Sequence, residues 1–165
     1  MFGFDNMSWI DNYIELLDSN FQIVLYDCCK LAGIERANLN DKELHSKFIS
    51  SGIEKAANEL LKLENEEVNI LAFSIGGTIA WKAAIHGLNV KNLYAISSTR
   101  LRYETIKPNC SIYLVYGEND FFKPENQWLR LLNLKCDIIN NGEHEIYKEI
   151  DLIDEVSSII NNSLL

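Results

Sequence analysis

The sequence predicts an α/β fold, a mostly parallel sheet of about five to six strands with helices on both faces. Three observations carry that prediction. Short β-rich runs alternate along the chain with stretches of helical periodicity, the order that builds strand–helix–strand units with right-handed crossovers. One run, with Val68, Ile70, Leu71 and Phe73, is apolar in the manner of a strand covered on both faces. Finally, 165 residues of 47% hydrophobic content suffice for one domain, 1–165, with a sizeable core.

Taken in order, Ser8 and Asp11 are spaced as an N-terminal capping box. The helix that follows, from Trp9 to about Asp18, carries Ile10, Tyr13, Ile14 and Leu17 at helical spacing. Phe21 to Tyr26 is β-rich and ends at Asp27, which predicts a strand. A polar loop to about Asn40 is expected next, then a helix capped by Asp41, bearing Leu44 and Phe48 and interrupted at Gly52. Ile53, Ala56, Ala57, Leu60 and Leu61 resume the helical period before the turn at 65–67. Val68–Phe73 is the central predicted strand, and Ile75–His86 a helix with Gly87 placed to stop it. Strands are expected at Asn92–Ile96, Ser111–Tyr116 and Cys136–Ile139. Helices are expected from Pro124 to about Leu132 and from about Tyr147 to Ile160. Trp9, Trp81 and Trp128 fall at helical positions that suit packing.

Composition narrows the function. A net charge of −9 and a pI near 4.8 argue against nucleic acid or an anionic membrane as the main partner. Cys28, Cys29, Cys110 and Cys136 include no C-x-x-C and no zinc spacing, which predicts reduced thiols in a cytoplasmic protein. The start MFGFDNMSW lacks the basic and apolar regions of a signal peptide, and no run is long enough to span a bilayer. G-x-G-x-x-G and P-loop patterns are absent and the three histidines lack ligand spacing, so neither cofactor nor metal is expected. Gly76-Gly77 after a strand is a weak phosphate-binding signal, with no lysine at the turn.

Between the central strand and its helix lies Ala72-Phe73-Ser74-Ile75-Gly76-Gly77, a small-x-Ser-x-Gly-Gly turn. A serine in so sharp a turn needs small neighbours, because two backbones pass too close for bulk. Asp120 follows the 111–116 strand in a G-x-x-D-x-x-x-P pattern formed by Gly117, Asp120 and Pro124, and His144 follows the 136–139 strand in NNGEHE. All three fall where strands of an open α/β sheet end and ligands bind. Singly, each has a plainer reading: Ser74 as a helix cap, Asp120 as the cap of the Pro124 helix, and His144 as a surface side chain.

With the turn at Ser74 and the ordered Ser74, Asp120, His144 set, the chain resembles the α/β-hydrolase family, Ala72 replacing the commoner glycine of its nucleophile elbow. The resemblance implies a serine hydrolase of esters or thioesters. Ser74 would be the nucleophile, His144 the base and Asp120 its orienting acid, with the Ile75 N–H in the oxyanion hole. Phe2-Gly3-Phe4 followed by Ser8-Trp9 is similar to the family's H-G-F…S-W region, phenylalanine standing for the histidine, and implies Phe4 as the second oxyanion donor. The family places a strand ahead of this glycine, where the sequence has Met1–Phe4. The expected fold is therefore a reduced, N-terminally shortened one: a stub strand, direct pairing of its neighbours, or a shortened form of a longer protein. Only Ser97–Cys110 stands where relatives insert a helical cap, so no cap domain is expected. Arg100 and Arg102 of that loop, with Lys107 and with Lys123 nearby, form a basic rim expected to bind an anionic substrate or an acidic acyl carrier protein. The plainer alternative pairs them with Glu104 and Glu118. Cap-poor hydrolases that the chain resembles include the pimeloyl-carrier-protein methyl ester esterases. The competing class is a non-catalytic relative that keeps the fold as a binding or regulatory module.

Overall fold

A computed structural model describes residues 8–17, 19 and 21–163. Its centre is a parallel sheet of four strands in the order β1 (Val68–Phe73), β2 (Val90–Ile96), β3 (Ser111–Gly117) and β4 (Asp137–Ile139). Strand side chains alternate between two faces. On β2, Leu93 and Ala95 enter one core, while Tyr94 and Ile96 enter the other. The first core is covered by α2 (Cys28–Ala32), α4 (Ile53–Leu63), α5 (Ile75–Ile85) and α6 (Asn126–Leu131). The second is covered by α1 (Ser8–Leu17) and α7 (Ile150–Asn162), which lie together, the Asn161 amide donating to the Leu16 carbonyl at 3.1 Å. Trp81 is fully buried and Trp128 nearly so, and their rings are 5.9 Å apart.

The sheet has four strands among the described residues, fewer than the five or six expected. Phe21–Tyr26 forms no strand. Its β-rich composition favours a pleated, half-buried setting, but a strand also needs a ladder partner. Among the described residues β1 pairs only with β2, so this segment has none. Phe21 and Ile23 still pack on the second core while Val24 and Leu25 stay exposed. The stub strand expected at Met1–Phe4 lies outside the described residues.

The expected loop after Asp27 begins instead with α2, whose N-cap is the Asp27 carboxylate accepting from the Lys30 N–H and whose C-cap is Gly33 at φ +63°. Asn40, not Asp41, caps α3 (Asp41–Lys47), in a reciprocal box with Glu43. The interruption expected at Gly52 is a π-helical turn over Phe48–Gly52 that joins α3 to α4. Between β2 and β3 the chain makes only a 3₁₀ turn, Leu101–Tyr103. A second 3₁₀ turn, Ile146–Lys148, precedes α7. Among the described residues no helix is long and apolar enough to cross a membrane.

Candidate active site

Ser74 stands between β1 and α5 with φ +50° and ψ −123°, a conformation that L-residues avoid. Its neighbours hold it there. The Ser74 N–H donates to the Ile96 carbonyl, and its own carbonyl accepts from the Thr99 and Gly77 N–H groups. Gly77 shows why the turn needs small residues: a Cβ built on it would stand 1.7 Å from Ser98 Oγ. The Ile75 N–H opens α5, where the first donors of a helix have no partner within it.

Asp120 and His144 reach the same sheet edge from the loops after β3 and β4. Those loops touch through their backbones. The Glu118 N–H donates to the Ile139 carbonyl at 2.9 Å, and the Asn119 N–H to the Gly142 carbonyl at 2.8 Å. A Cβ on Gly117 would lie 2.3 Å from that Gly142 oxygen, so glycine alone permits the approach.

The result is a chain of two hydrogen bonds. Ser74 Oγ lies 3.1 Å from His144 Nε2, and His144 Nδ1 lies 3.0 Å from Asp120 Oδ2. With the Nδ1 proton directed to the carboxylate, Nε2 is left as an acceptor for the serine hydroxyl. Asp120 is 4% exposed and Ser74 5% exposed, so both ends of the relay are shielded from water while the imidazole between them is half-buried. The second carboxylate oxygen, Oδ1, accepts the Phe122 N–H at 2.8 Å.

Aromatic rings tie this edge to the second core. Phe73, next to Ser74, and Tyr147, three residues after His144, have centroids 5.4 Å apart. Trp9 of α1 meets both, at 4.9 and 5.0 Å. Burial, with smaller contributions from the Glu145 and Asp120 charges, holds the Tyr147 phenol well above its ordinary range, so it stays a neutral packing group.

The basic rim is built differently from a row of ion pairs. Arg100 and Arg102 both stand over the Tyr103 ring, each 4.7 Å from its centroid. Glu104 turns to Lys82 at 3.4 Å, and Glu118 accepts the Asn141 N–H. Burial works to lower Lys82, but the hydrogen bond it donates to Glu54 and the charge of Glu104 outweigh it and hold the amine above its ordinary value. A cavity of about 220 Å³ is lined by Arg100 and Tyr103 together with Thr78, Lys82, Phe48 and Ile49. Arg100 itself has φ +72°. Phe4 lies outside the described residues. Among those described, no cluster of histidine, cysteine or carboxylate side chains could hold a metal, and Cys28, Cys110 and Cys136 are free thiols. Phe122 stands at the site without a sequence motif to mark it, its place two residues after Asp120 being the available hint.

No family model and no curated protein matches the chain at the level of sequence. Solved structures do match in fold. A hydrolase of the alpha/beta superfamily from Xanthomonas campestris pv. campestris superposes with a TM-score of 0.66 at 13% identity, over 93% of this chain and 89% of that one. A CIB-like hydrolase from Thermoplasma acidophilum gives 0.66 at 16% identity, over 96% and 82%. Mouse alpha/beta hydrolase domain-containing protein 10 gives 0.67 at 16% identity, over 97% and 85%. With the strand–turn–helix at Ser74, these likenesses establish that the chain has the α/β-hydrolase fold.

Proposed function

We propose that the chain is a serine hydrolase that cleaves a carboxylic ester or thioester through an acyl-enzyme on Ser74. The observation that carries this reading is the pair of aligned hydrogen bonds, Ser74 Oγ to His144 Nε2 at 3.1 Å and His144 Nδ1 to Asp120 Oδ2 at 3.0 Å. A serine hydroxyl is a weak nucleophile at neutral pH and needs such a base. As Ser74 Oγ bonds to the substrate carbonyl carbon, its proton passes to Nε2, and Asp120 stabilises the imidazolium that forms. The carbonyl oxygen, now an oxyanion, faces the Ile75 N–H, with Phe4 proposed as the second donor. Collapse breaks the bond to the alcohol or thiol, which leaves with the proton from His144. Water then adds to the acyl-enzyme by the same route, releasing the acid and restoring Ser74.

For the substrate we propose an anionic group or an acidic acyl carrier protein received at Arg100 and Arg102, a pimeloyl-carrier-protein methyl ester being one instance. What supports it is the placement of Arg100 beside the cavity, one residue past the Thr99 N–H that contacts Ser74.

The test is labelling by a fluorophosphonate probe and turnover of short p-nitrophenyl esters, beside Ser74→Ala and His144→Ala. The wild type should label and turn over and both variants should not. An unlabelled wild type would favour the non-catalytic binding module.

A further inference from the structure

His144 is held by more than its two hydrogen bonds. The Phe122 ring meets the imidazole at 67° with centroids 4.9 Å apart, and the Tyr147 ring meets it edge-on at 6.2 Å and 88°. Phe122 also serves Asp120, because its N–H satisfies the carboxylate oxygen that does not face His144. One residue therefore fixes both the ring that moves the proton and the acid that orients it.

Phe122 stands in a surface loop, beside a Phe121 that is 92% exposed, so its own placement requires a tether. Arg102 supplies it. Its Nη1 donates to the Phe122 carbonyl at 3.0 Å, and its guanidinium lies 5.6 Å from the centre of the Phe122 ring. Tyr103 steadies the guanidinium in turn, with its ring at 4.7 Å and its hydroxyl 3.3 Å from Nη2. A guanidinium suits this task, since a charge-assisted bond to a carbonyl is stronger than a neutral one and a flat fork can bond and stack at once. Lysine offers a point charge and no plane.

We propose that Arg102 is a positioning residue: by holding the Phe122 carbonyl and ring it keeps His144 aligned on Ser74 and the Asp120 carboxylate turned towards His144. The proposal rests on the reading of this site as a serine hydrolase. It narrows the rim part of that reading: Arg100, which lines the cavity, keeps the substrate contact, and Arg102 holds the Phe122 carbonyl and ring. A substrate contact and a tether leave different kinetic marks. Loss of an anion contact raises KM for anionic esters and spares kcat, whereas loss of a tether lowers kcat for every ester.

The experiment uses the full chain with Arg102→Gln and Arg102→Lys, assayed on neutral p-nitrophenyl acetate and on anionic mono-p-nitrophenyl succinate. It adds the rate of fluorophosphonate labelling and the proton NMR signal of the His144 Nδ1–H. Arg102→Gln should lower kcat on the order of tenfold on both esters, with KM little changed, because small misalignments of reacting groups are costly. Labelling should slow in parallel, the Nδ1–H signal should broaden, and Arg102→Lys should restore only part of the loss. If Arg102→Gln fails to fold, Arg102→Lys carries the test, and full activity in that variant overturns the tether. Wild-type labelling rates with KM raised only for the succinate ester also overturn it and leave the hydrolase reading standing. A wild type that does not label removes both.

Discussion

Gly117→Ala probes the contact on which the site depends. The new Cβ would lie 2.3 Å from the Gly142 oxygen, 2.4 Å from its carbonyl carbon and 2.5 Å from the Glu143 oxygen. All three are backbone atoms, so no side chain can swing aside. To reach ordinary contact the loops after β3 and β4 must part by about 1 Å, and a misplacement of that size at reacting groups costs about 10²-fold in rate. The displacement falls between Asp120, three residues after Gly117, and His144, two after Gly142, and it works directly against their 3.0 Å bond. It also strains the Asn119 N–H to Gly142 bond, and overpacking of this kind costs about 1–3 kcal/mol of stability. The assay is kcat/KM on p-nitrophenyl acetate with thermal melting on the same preparation. A fall of about two orders of magnitude with a modest drop in Tm is expected. Unchanged kcat/KM in a folded Gly117→Ala protein would refute the claim that this backbone contact aligns Asp120 with His144.

Gly77→Ala sets a Cβ 1.7 Å from Ser98 Oγ and 2.6 Å from Ser98 Cβ, inside the buried first turn of α5. Stability should fall by about 1–3 kcal/mol and recover in part when Ser98→Gly is added; additive losses in urea denaturation would contradict the contact. Burial pushes the Cys28 and Cys136 thiols up to about 12, with nearby aspartates adding to it, and raises Cys110 as well. Raised values keep the protonated thiol dominant up to strongly alkaline pH, so iodoacetamide should react slowly at neutral pH and about tenfold faster per pH unit thereafter. Rapid stoichiometric alkylation of these three at pH 7, followed by peptide mass spectrometry, would refute this.

The parts of the fold legible in the sequence are those with local cause. Val68–Phe73, the turn at Ser74 and Ile75–Ile85 show strand and helix periods side by side, and Gly87, at φ +112°, follows the end of α5 where a helix stop was expected. The short α2 escaped notice because five residues are too few to display a helical period, although Asp27 and Gly33 are a cap at each end. Phe21–Tyr26 misled for the opposite reason: its composition is that of a strand, but pairing is a property of neighbours that composition does not carry. At the site, the order and spacing of Ser74, Asp120 and His144 were visible as pattern. Phe122 was not, and Arg102 showed only as a cation of the rim, since the hydrogen bond between them comes from loops 20 residues apart meeting in space.

The two ends of this site are fixed by different means, and that difference orders the expected effects. Ser74 is held through its backbone: an unfavourable φ of +50° persists because its N–H and carbonyl are tied to Ile96, Thr99 and Gly77. Those ties also join α5 to β2, so disturbing the serine end, as Gly77→Ala does, must register in stability. His144 is held through its side chain, by Asp120, Phe122 and Tyr147. It is 22% exposed at the side chain, on a loop that buries little else. A change that frees the imidazole forfeits few buried contacts but loses the geometry on which the proposed proton transfer depends. Perturbations at the histidine end should therefore lower kcat out of proportion to Tm, and perturbations at the serine end should lower both together. A plot of kcat loss against Tm loss for Arg102→Gln, Gly117→Ala and Gly77→Ala tests this directly. If all three fall on one line, the site loses activity by general loosening of the fold, and the division between a backbone-held nucleophile and a side-chain-held base is wrong.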